Sequence, residues 1–250
     1  MMHGSIHQSQ PTYLGGVKPM EGASQTRDYR LANAAISVAD EFPFCRSSVR
    51  SFRRGEVIAG AGGLVDMFAR VQRGLVSAST MLSDGREFIV EMIPKAGLIG
   101  ELEVLRGEML NLEYRAGSDC ELHFFEGRLL RERCANDPRF QEKVFSRALA
   151  RVAELQLRII ANAGSCLQSR LASTLLRLSS VYGRDAANNG DELVISQHDL
   201  AATLPASREK VNQCLRRLRE RKVIDAAQGK IHILNRKALE AYAYGATTLQ

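Results

Sequence analysis

No stretch of this sequence approaches the ~18 consecutive apolar residues that a membrane-spanning helix needs, so nothing in it points to work inside a bilayer. The first 26 residues are polar and lack the basic start and apolar centre of a secretion signal, and the expected location is therefore cytoplasmic. Paired cysteines are missing too. Cys45, Cys120, Cys134, Cys166 and Cys214 form no C-x-x-C pair and stand at no metal-finger spacing, which leaves them as small buried hydrophobes in a reducing compartment. No nucleophile–base set, phosphate-cradling loop or metal-ligand pattern appears, so an enzyme has almost no support and no metal site is expected.

What is present changes character along the 250 residues. Residues 1–30 are rich in Gly, Ser, Gln and Pro, show little periodicity, and read as a mobile tail. From about Phe52 to Phe125, short apolar runs (Val57-Ile58, Leu75-Val76, Phe88-Ile89-Val90, Leu98-Ile99) alternate with turn signals. Ser83-Asp84-Gly85-Arg86 is a good hairpin signal, and many short strands at close spacing imply a sandwich or barrel. After Pro138 the period becomes helical. Phe145, Ala148, Val152, Leu155, Ile159, Asn162 and Cys166 alternate in steps of three and four for about three heptads, with Arg147, Arg151, Glu154 and Arg158 off the stripe. Such a stripe either packs on its own domain or pairs two chains. Because it runs unbroken from one region into the next, pairing is expected, with Phe145, Ala148, Val152, Leu155 and Ile159 in the dimer interface.

The segment from Val194 to Leu234 is the most informative. Ser196-Gln197-His198-Asp199 opens a short helix whose inner face is Leu200, Ala201 and Leu204. A tight turn at Pro205-Ala206 follows, and Ser207 caps a second helix with Val211, Leu215 and Leu218 inward. Arg208, Glu209, Lys210 and Gln213 then face outward at its start. Two short helices joined by a tight turn, with hydrogen-bonding side chains leading the second, make a helix-turn-helix. Val223-Ile224, the turn Gln228-Gly229-Lys230 and Ile231-His232-Ile233-Leu234 form a hairpin wing behind it. From Ser207 to Lys237 ten Lys/Arg stand against three acids, a local excess of +7 in a chain whose formal net charge is +6. A basic patch confined to one end suits a polyanion.

The stretch ISQHDLAATLPASREKVNQCLRRLRERKVI resembles the C-terminal signature of the CRP/FNR regulators, and LSDGREFIV, GLIGELEVL and EYRAGSDCEL resemble their cyclic-nucleotide-binding-type barrel. The resemblance runs from about Phe52 to the end. It implies an α+β chain with an N-terminal β-roll or jelly-roll barrel, a long dimerisation helix and a C-terminal winged helix-turn-helix. The expected division is a tail over 1–30, a β-roll sensory domain over 31–136, a dimerisation helix over 137–166 and a DNA-binding domain over 167–250. The implied partners are double-stranded DNA with a palindromic operator, a second copy of the chain, and RNA polymerase. The implied DNA contacts are Ser207, Arg208, Glu209, Lys210 and Gln213. Arg208 and Glu209 match the family's Ser-Arg-Glu motif, whereas Gln213 stands where Arg is common.

The same resemblance places an effector pocket at Gly100, Glu101, Leu102, Leu110, Asn111, Leu155 and Gln156. Gly100-Glu101-Leu102 matches the family's Gly-Glu-Leu. Leu110 and Asn111 replace the Arg-Ser pair that holds a cyclic phosphate, and Leu155 and Gln156 replace the adenine-contacting hydroxyls. A cyclic phosphate buried without a cation carries a large desolvation cost, so cyclic AMP is not expected to act here. Arg106 is the nearest alternative cation, and Glu101 reads as a retained, buried, hydrogen-bonded fold residue. The cysteine placement fits neither an iron–sulfur cluster nor a haem of the family's types, so no cofactor is expected and a small effector stays open. Pro205 departs from the Gly often found in such turns, since proline cannot take a left-handed φ. The alternative to a DNA-binding regulator is a cyclic-nucleotide-binding-like module that acts through protein partners without DNA.

Overall fold

The computed structural model describes residues 47–63, 66–164, 166–182, 192–204, 206–227 and 229–244. The proposed tail, Cys45, Pro205 and Gln228 lie outside the described residues.

Eight strands build the N-terminal half: β1 (Ser48–Phe52), β2 (Val57–Ala59), β3 (Met67–Arg73), β4 (Val76–Met81), β5 (Glu87–Ile93), β6 (Leu98–Ile99), β7 (Glu113–Ala116) and β8 (Cys120–Glu126). They form two antiparallel four-stranded sheets, ordered β1-β8-β3-β6 and β2-β7-β4-β5. Two packed sheets are the sandwich that the short strands imply, and the arrangement is jelly-roll-like, as the resemblance implies. Asp84-Gly85 turns β4 into β5, where Gly85 takes a φ of 79°. Ala69, Val71, Val76, Ala78, Ile93 and Leu122 fill the space between the sheets. Strand β3 is buried along four successive residues rather than on alternate ones. Its Phe68 faces away from that interior and stacks on Phe125 with ring centroids 5.3 Å apart. These two rings meet Val104, Leu130 and Phe140 from the helices that cover the sheet. A strand covered on both faces loses the two-residue alternation.

Those covering helices are α1 (Glu101–Arg106), α2 (Gly127–Asn136) and the 27-residue α3 (Pro138–Gly164). Pro138 opens α3, where its missing N–H costs nothing. Asp137 Oδ1 accepts from the amides of Arg139 and Phe140, both at 3.1 Å. The helix is about 40 Å long. It leads into α4 (Leu167–Tyr182), then β9 (Glu192–Val194), α5 (Gln197–Thr203), α6 (Arg208–Glu220), β10 (Ile224–Ala227), β11 (Lys230–Ile233) and α7 (Arg236–Ala243). A three-stranded sheet ordered β10-β11-β9 closes this half.

The C-terminal core draws Leu171, Leu175, Leu178, Leu193, Leu200, Val211, Leu218 and Leu239 into one cluster. Leu75, Ile89 and Met92 of the roll belong to the same cluster. Helix α5 therefore rests on β5, and Arg158 of α3 donates to the Val90 carbonyl of the same strand. Cys120 and Cys214 are buried as expected, but Cys166 is exposed. It precedes α4 instead of joining an apolar face, and its Sγ lies 3.4 Å from Ser169 Oγ.

Gly74 has a φ of 89°, and a Cβ there would collide with the Asp119 carbonyl and lie 2.8 Å from Cys120 Sγ. Gly74→Ala is expected to cost about 3 kcal/mol or more, from left-handed backbone strain plus overlap. Gly85→Ala, in open space at a similar φ, is expected to cost only about 1–2 kcal/mol. Urea unfolding midpoints of the two variants check this ordering.

Candidate nucleic-acid interface and effector pocket

Helices α5 and α6 are both started by serines. Ser196 Oγ accepts from the Asp199 amide at 2.9 Å, and Ser207 Oγ accepts from the Lys210 amide at 3.4 Å. Each cap satisfies a backbone N–H that the helix itself leaves without a partner. Helix α6 is sharply two-faced. Val211, Cys214, Leu215 and Leu218 are buried against α4 and α5. Ser207, Arg208, Glu209, Lys210 and Gln213 are exposed, and Arg216, Arg217 and Arg219 continue the exposed, basic side. All five expected contact residues thus lie on the open side of the first two turns. A guanidinium, a carboxylate, an ammonium and an amide in this arrangement can meet base edges and phosphates over one groove width.

The hairpin behind α6 pairs Ile224 with Ile233 and Ala227 with Lys230, with Gly229 at a φ of 78°. Strand β9 adds a third member by pairing with β11. The sequence reading missed it as a sheet partner, although the alternation of buried Leu193, exposed Val194 and buried Ile195 is a strand pattern. Glu192 on β9 holds Lys230 at 2.7 Å, which keeps the wing's lysine beside an acid.

The expected effector residues divide. Gly100, at a φ of 77°, turns the chain from β6 into α1 and so brings Glu101 beneath α3. The Glu101 side chain is buried, and Arg151 of α3 donates to its Oε1 at 3.3 Å. The other terminal nitrogen of Arg151 pairs with Glu91 of β5. Burial pushes both carboxyls above their ordinary range, with the Arg151 charge opposing the rise. Burial likewise opposes the charge on Arg151, but the two carboxylates outweigh it and strengthen its hold on the proton. Leu102, Ala148 and Arg147 line a neighbouring crevice of about 20 Å³, room for about one water.

Leu110 belongs to the packed interior of the roll, and its backbone is tied to Gly62 and Gly63 by bonds of 2.8 and 3.1 Å. Its neighbour Asn111 is exposed. On α3, Leu155 is half-buried and Gln156 exposed. Glu101 and Leu102 thus meet α3, Leu110 fills the roll, and Asn111 and Gln156 face solvent. Arg106 does not reach inward: it pairs with Glu108 at 2.6 Å and is 66% exposed. The cation at Glu101 is Arg151, which sequence reasoning passed over as an off-stripe charge. The usable signal was that a buried acid needs a positive partner.

On the same helix, Phe145, Val152 and Ile159 are 62%, 50% and 67% exposed, and Leu149 and Ile160 join them. Ala148 and Leu155, expected on that stripe, turn partly toward their own chain.

Two family models match the chain: a cyclic nucleotide-binding domain over residues 49–137 and a Crp-like helix-turn-helix domain over residues 169–242. Among curated relatives, the anaerobic regulatory protein of Bacillus subtilis (strain 168) is 27% identical over 172 residues, covering 67% of this chain and 71% of its own. The global nitrogen regulator of Nostoc sp. (strain PCC 7120) is 24% identical over 212 residues, covering 83% of this chain and 94% of its own. Among solved structures, a CRP-family transcriptional regulator from Thermus thermophilus is 25% identical, covers 80% of this chain and 98% of its own, and superposes with a TM-score of 0.67.

Removing Arg151 takes the largest opposing charge from both carboxylates and leaves them Arg147, with Arg158 also acting on Glu91. Arg151→Met is expected to cost about 2–4 kcal/mol, a figure reduced for partial exposure. The pH dependence has a definite sign. Raised carboxyl pKa values mean that the folded state holds protons more tightly than the unfolded one, so this contribution declines as pH rises from the ordinary carboxyl value through the raised one. Losing Arg151 widens that window, so the deficit should be smaller at about pH 5 than at about pH 8. Denaturant unfolding of wild type and variant at the two pH values reads both effects.

Proposed function

Because the chain belongs to the CRP/FNR family of transcription regulators, we propose that it acts as a homodimer in the cytoplasm, reads a palindromic operator with α6, and does so without cyclic AMP. Members of this family are regulators rather than enzymes, and a helix-turn-helix DNA-binding domain is their output. The observation that carries the DNA reading is the two-faced α6: apolar side chains anchor it, while Arg208, Glu209, Lys210 and Gln213 stay exposed in its first two turns. Arg208 offers a fork to the two acceptors of guanine, Glu209 accepts from a cytosine amino group, and Gln213 suits adenine through one donor and one acceptor. Lys210 is assigned to phosphate.

Independence from cyclic AMP is supported by the filled roll. Leu110 takes part in its core, and Glu101 already has Arg151 as partner. Arg106 points to Glu108 instead of supplying a phosphate-binding cation.

Dimer formation is supported by the exposed apolar edge of α3. Phe145, Leu149, Val152 and Ile159 follow the spacing of a two-stranded seam. A parallel pair puts two recognition helices about one DNA turn (~34 Å) apart. RNA polymerase is the further partner that such a regulator would meet on DNA.

Selection of binding sites from random duplexes tests the base assignments. Wild type should enrich an inverted repeat with a G·C-containing half-site, and Gln213→Arg should shift one position from A toward G. Arg208→Ala should flatten preference at one G·C pair, at a cost of about 1–3 kcal/mol in discrimination. Lys210→Ala should weaken all sequences alike and lower the salt slope by about one unit. Cyclic AMP at millimolar concentration should leave operator affinity unchanged. Identical selections by wild type and Gln213→Arg would remove Gln213 from the code.

Val152→Glu places two charges in the seam. Light scattering should then report monomers, and operator affinity should be lost with the dimer. A variant that remains dimeric would show that the apolar edge packs within one chain.

A further inference from the structure

The cleft between the roll and the helix-turn-helix offers far more room than the crevice beside Glu101, about 370 Å³ against about 20 Å³. A volume of that size lies within the range of small-molecule sites. Its floor is built from small residues of the roll, among them Gly55, Ser77 and Gly117, and its far wall is the start of α5. One ion pair and one histidine–carboxylate contact cross it. Arg54 of the roll meets Asp199 of α5 at 3.3 Å, and Glu87 of β5 meets His198 of α5 at 3.3 Å. Both are single contacts between partly exposed groups: Arg54 is 47% and His198 is 66% exposed. Pairs of this kind contribute little to stability and are readily exchanged for other partners.

The roll side of the cleft therefore presents one guanidinium and one carboxylate. Arg115, the other cation on the floor, is already occupied by Glu113 and by the Gly55 carbonyl. A simple anion on Arg54 would add a negative charge to a cleft that already holds Asp199 and Glu87. A simple cation that took Glu87 would compete with His198 and leave Arg54 paired as before. A molecule with both charges replaces Asp199 on Arg54 and His198 on Glu87 together, and the net charge of the site does not change. Serine hydroxyls at Ser77 and Ser196 offer further hydrogen-bonding groups in the same space.

We propose that this interdomain cleft is a binding site for a small zwitterion of the free amino acid class, with its carboxylate on Arg54 and its ammonium on Glu87. Occupancy releases the first turn of α5 from both roll partners and so couples the ligand to the helix-turn-helix. The site is separate from the Glu101 region of the roll, and only its consequence for DNA rests on the function proposed above.

The experiment is calorimetric titration of the full chain, without DNA, against each standard L-amino acid at millimolar concentration, with cyclic AMP and a dicarboxylic acid as comparison ligands. At least one amino acid should bind, and Arg54→Met and Glu87→Gln should each weaken it about tenfold or more, the scale expected for hydrogen bonds to charged groups. Thermal unfolding of both variants should stay close to wild type, because the residues are on the surface of the cleft. Absence of binding by every amino acid, or binding indifferent to both substitutions, overturns the proposal. Since no DNA is present, a failure of operator recognition leaves this result standing.

Discussion

Arg151 is the contact on which the arrangement of the sensory half depends. It reaches from α3 to Glu101 at the start of α1 and to Glu91 on β5, so one guanidinium joins three elements that no local sequence pattern brings together. A buried carboxylate beside a half-buried one is costly, and the arginines of the long helix, Arg151 foremost, offset that cost. That requirement sets the rotation of α3. With Arg151 turned inward, Phe145, Val152 and Ile159 are left on the outer side, where an apolar edge is available for a second copy. The charge cluster and the proposed dimer seam are thus two consequences of one helix orientation.

The same contact bears on the question of an effector. In a roll built to hold a cyclic phosphate, a cation and hydroxyls would line the interior. Here Leu110 packs inside, Asn111 looks outward, and the acid of the Gly-Glu-Leu turn is paired with the chain's own arginine. Glu101 thus has a charged partner from its own chain. A wider cleft lies at the seam where α5 meets β5, and the polar pairs across it join partly exposed groups. The output half is organised differently: its leucine core fixes α6 from behind and commits none of its leading polar side chains to that core.

Legibility in the sequence follows from whether a pattern is local. The hairpin at Asp84-Gly85, the serine caps at Ser196 and Ser207, and the buried faces of α5 and α6 are all set by residues within one or two turns of each other, and all were readable. Strand β3 lost its alternation because helices cover its outer face, and α3 hid its true exposed edge because Ala148 and Leu155 fit a heptad count as well as Leu149 does. The partner of Glu101 lies fifty positions away in sequence, across a tertiary contact with no periodic signature. Arg106, close in sequence, was the wrong cation because a nearer acid, Glu108, claims it. The cross-domain pairs at His198 and Asp199 were invisible for the same reason: both residues read locally as the first turn of a helix.

Two copies of this chain are proposed to bind one duplex through paired α6 helices. Sedimentation equilibrium of the full chain with a labelled duplex recovered by selection measures it directly, repeated across a salt series. Two protomers per duplex are expected, with an affinity that falls linearly with salt on logarithmic axes, as release of counterions requires. One protomer per duplex, or an affinity insensitive to salt, would contradict it.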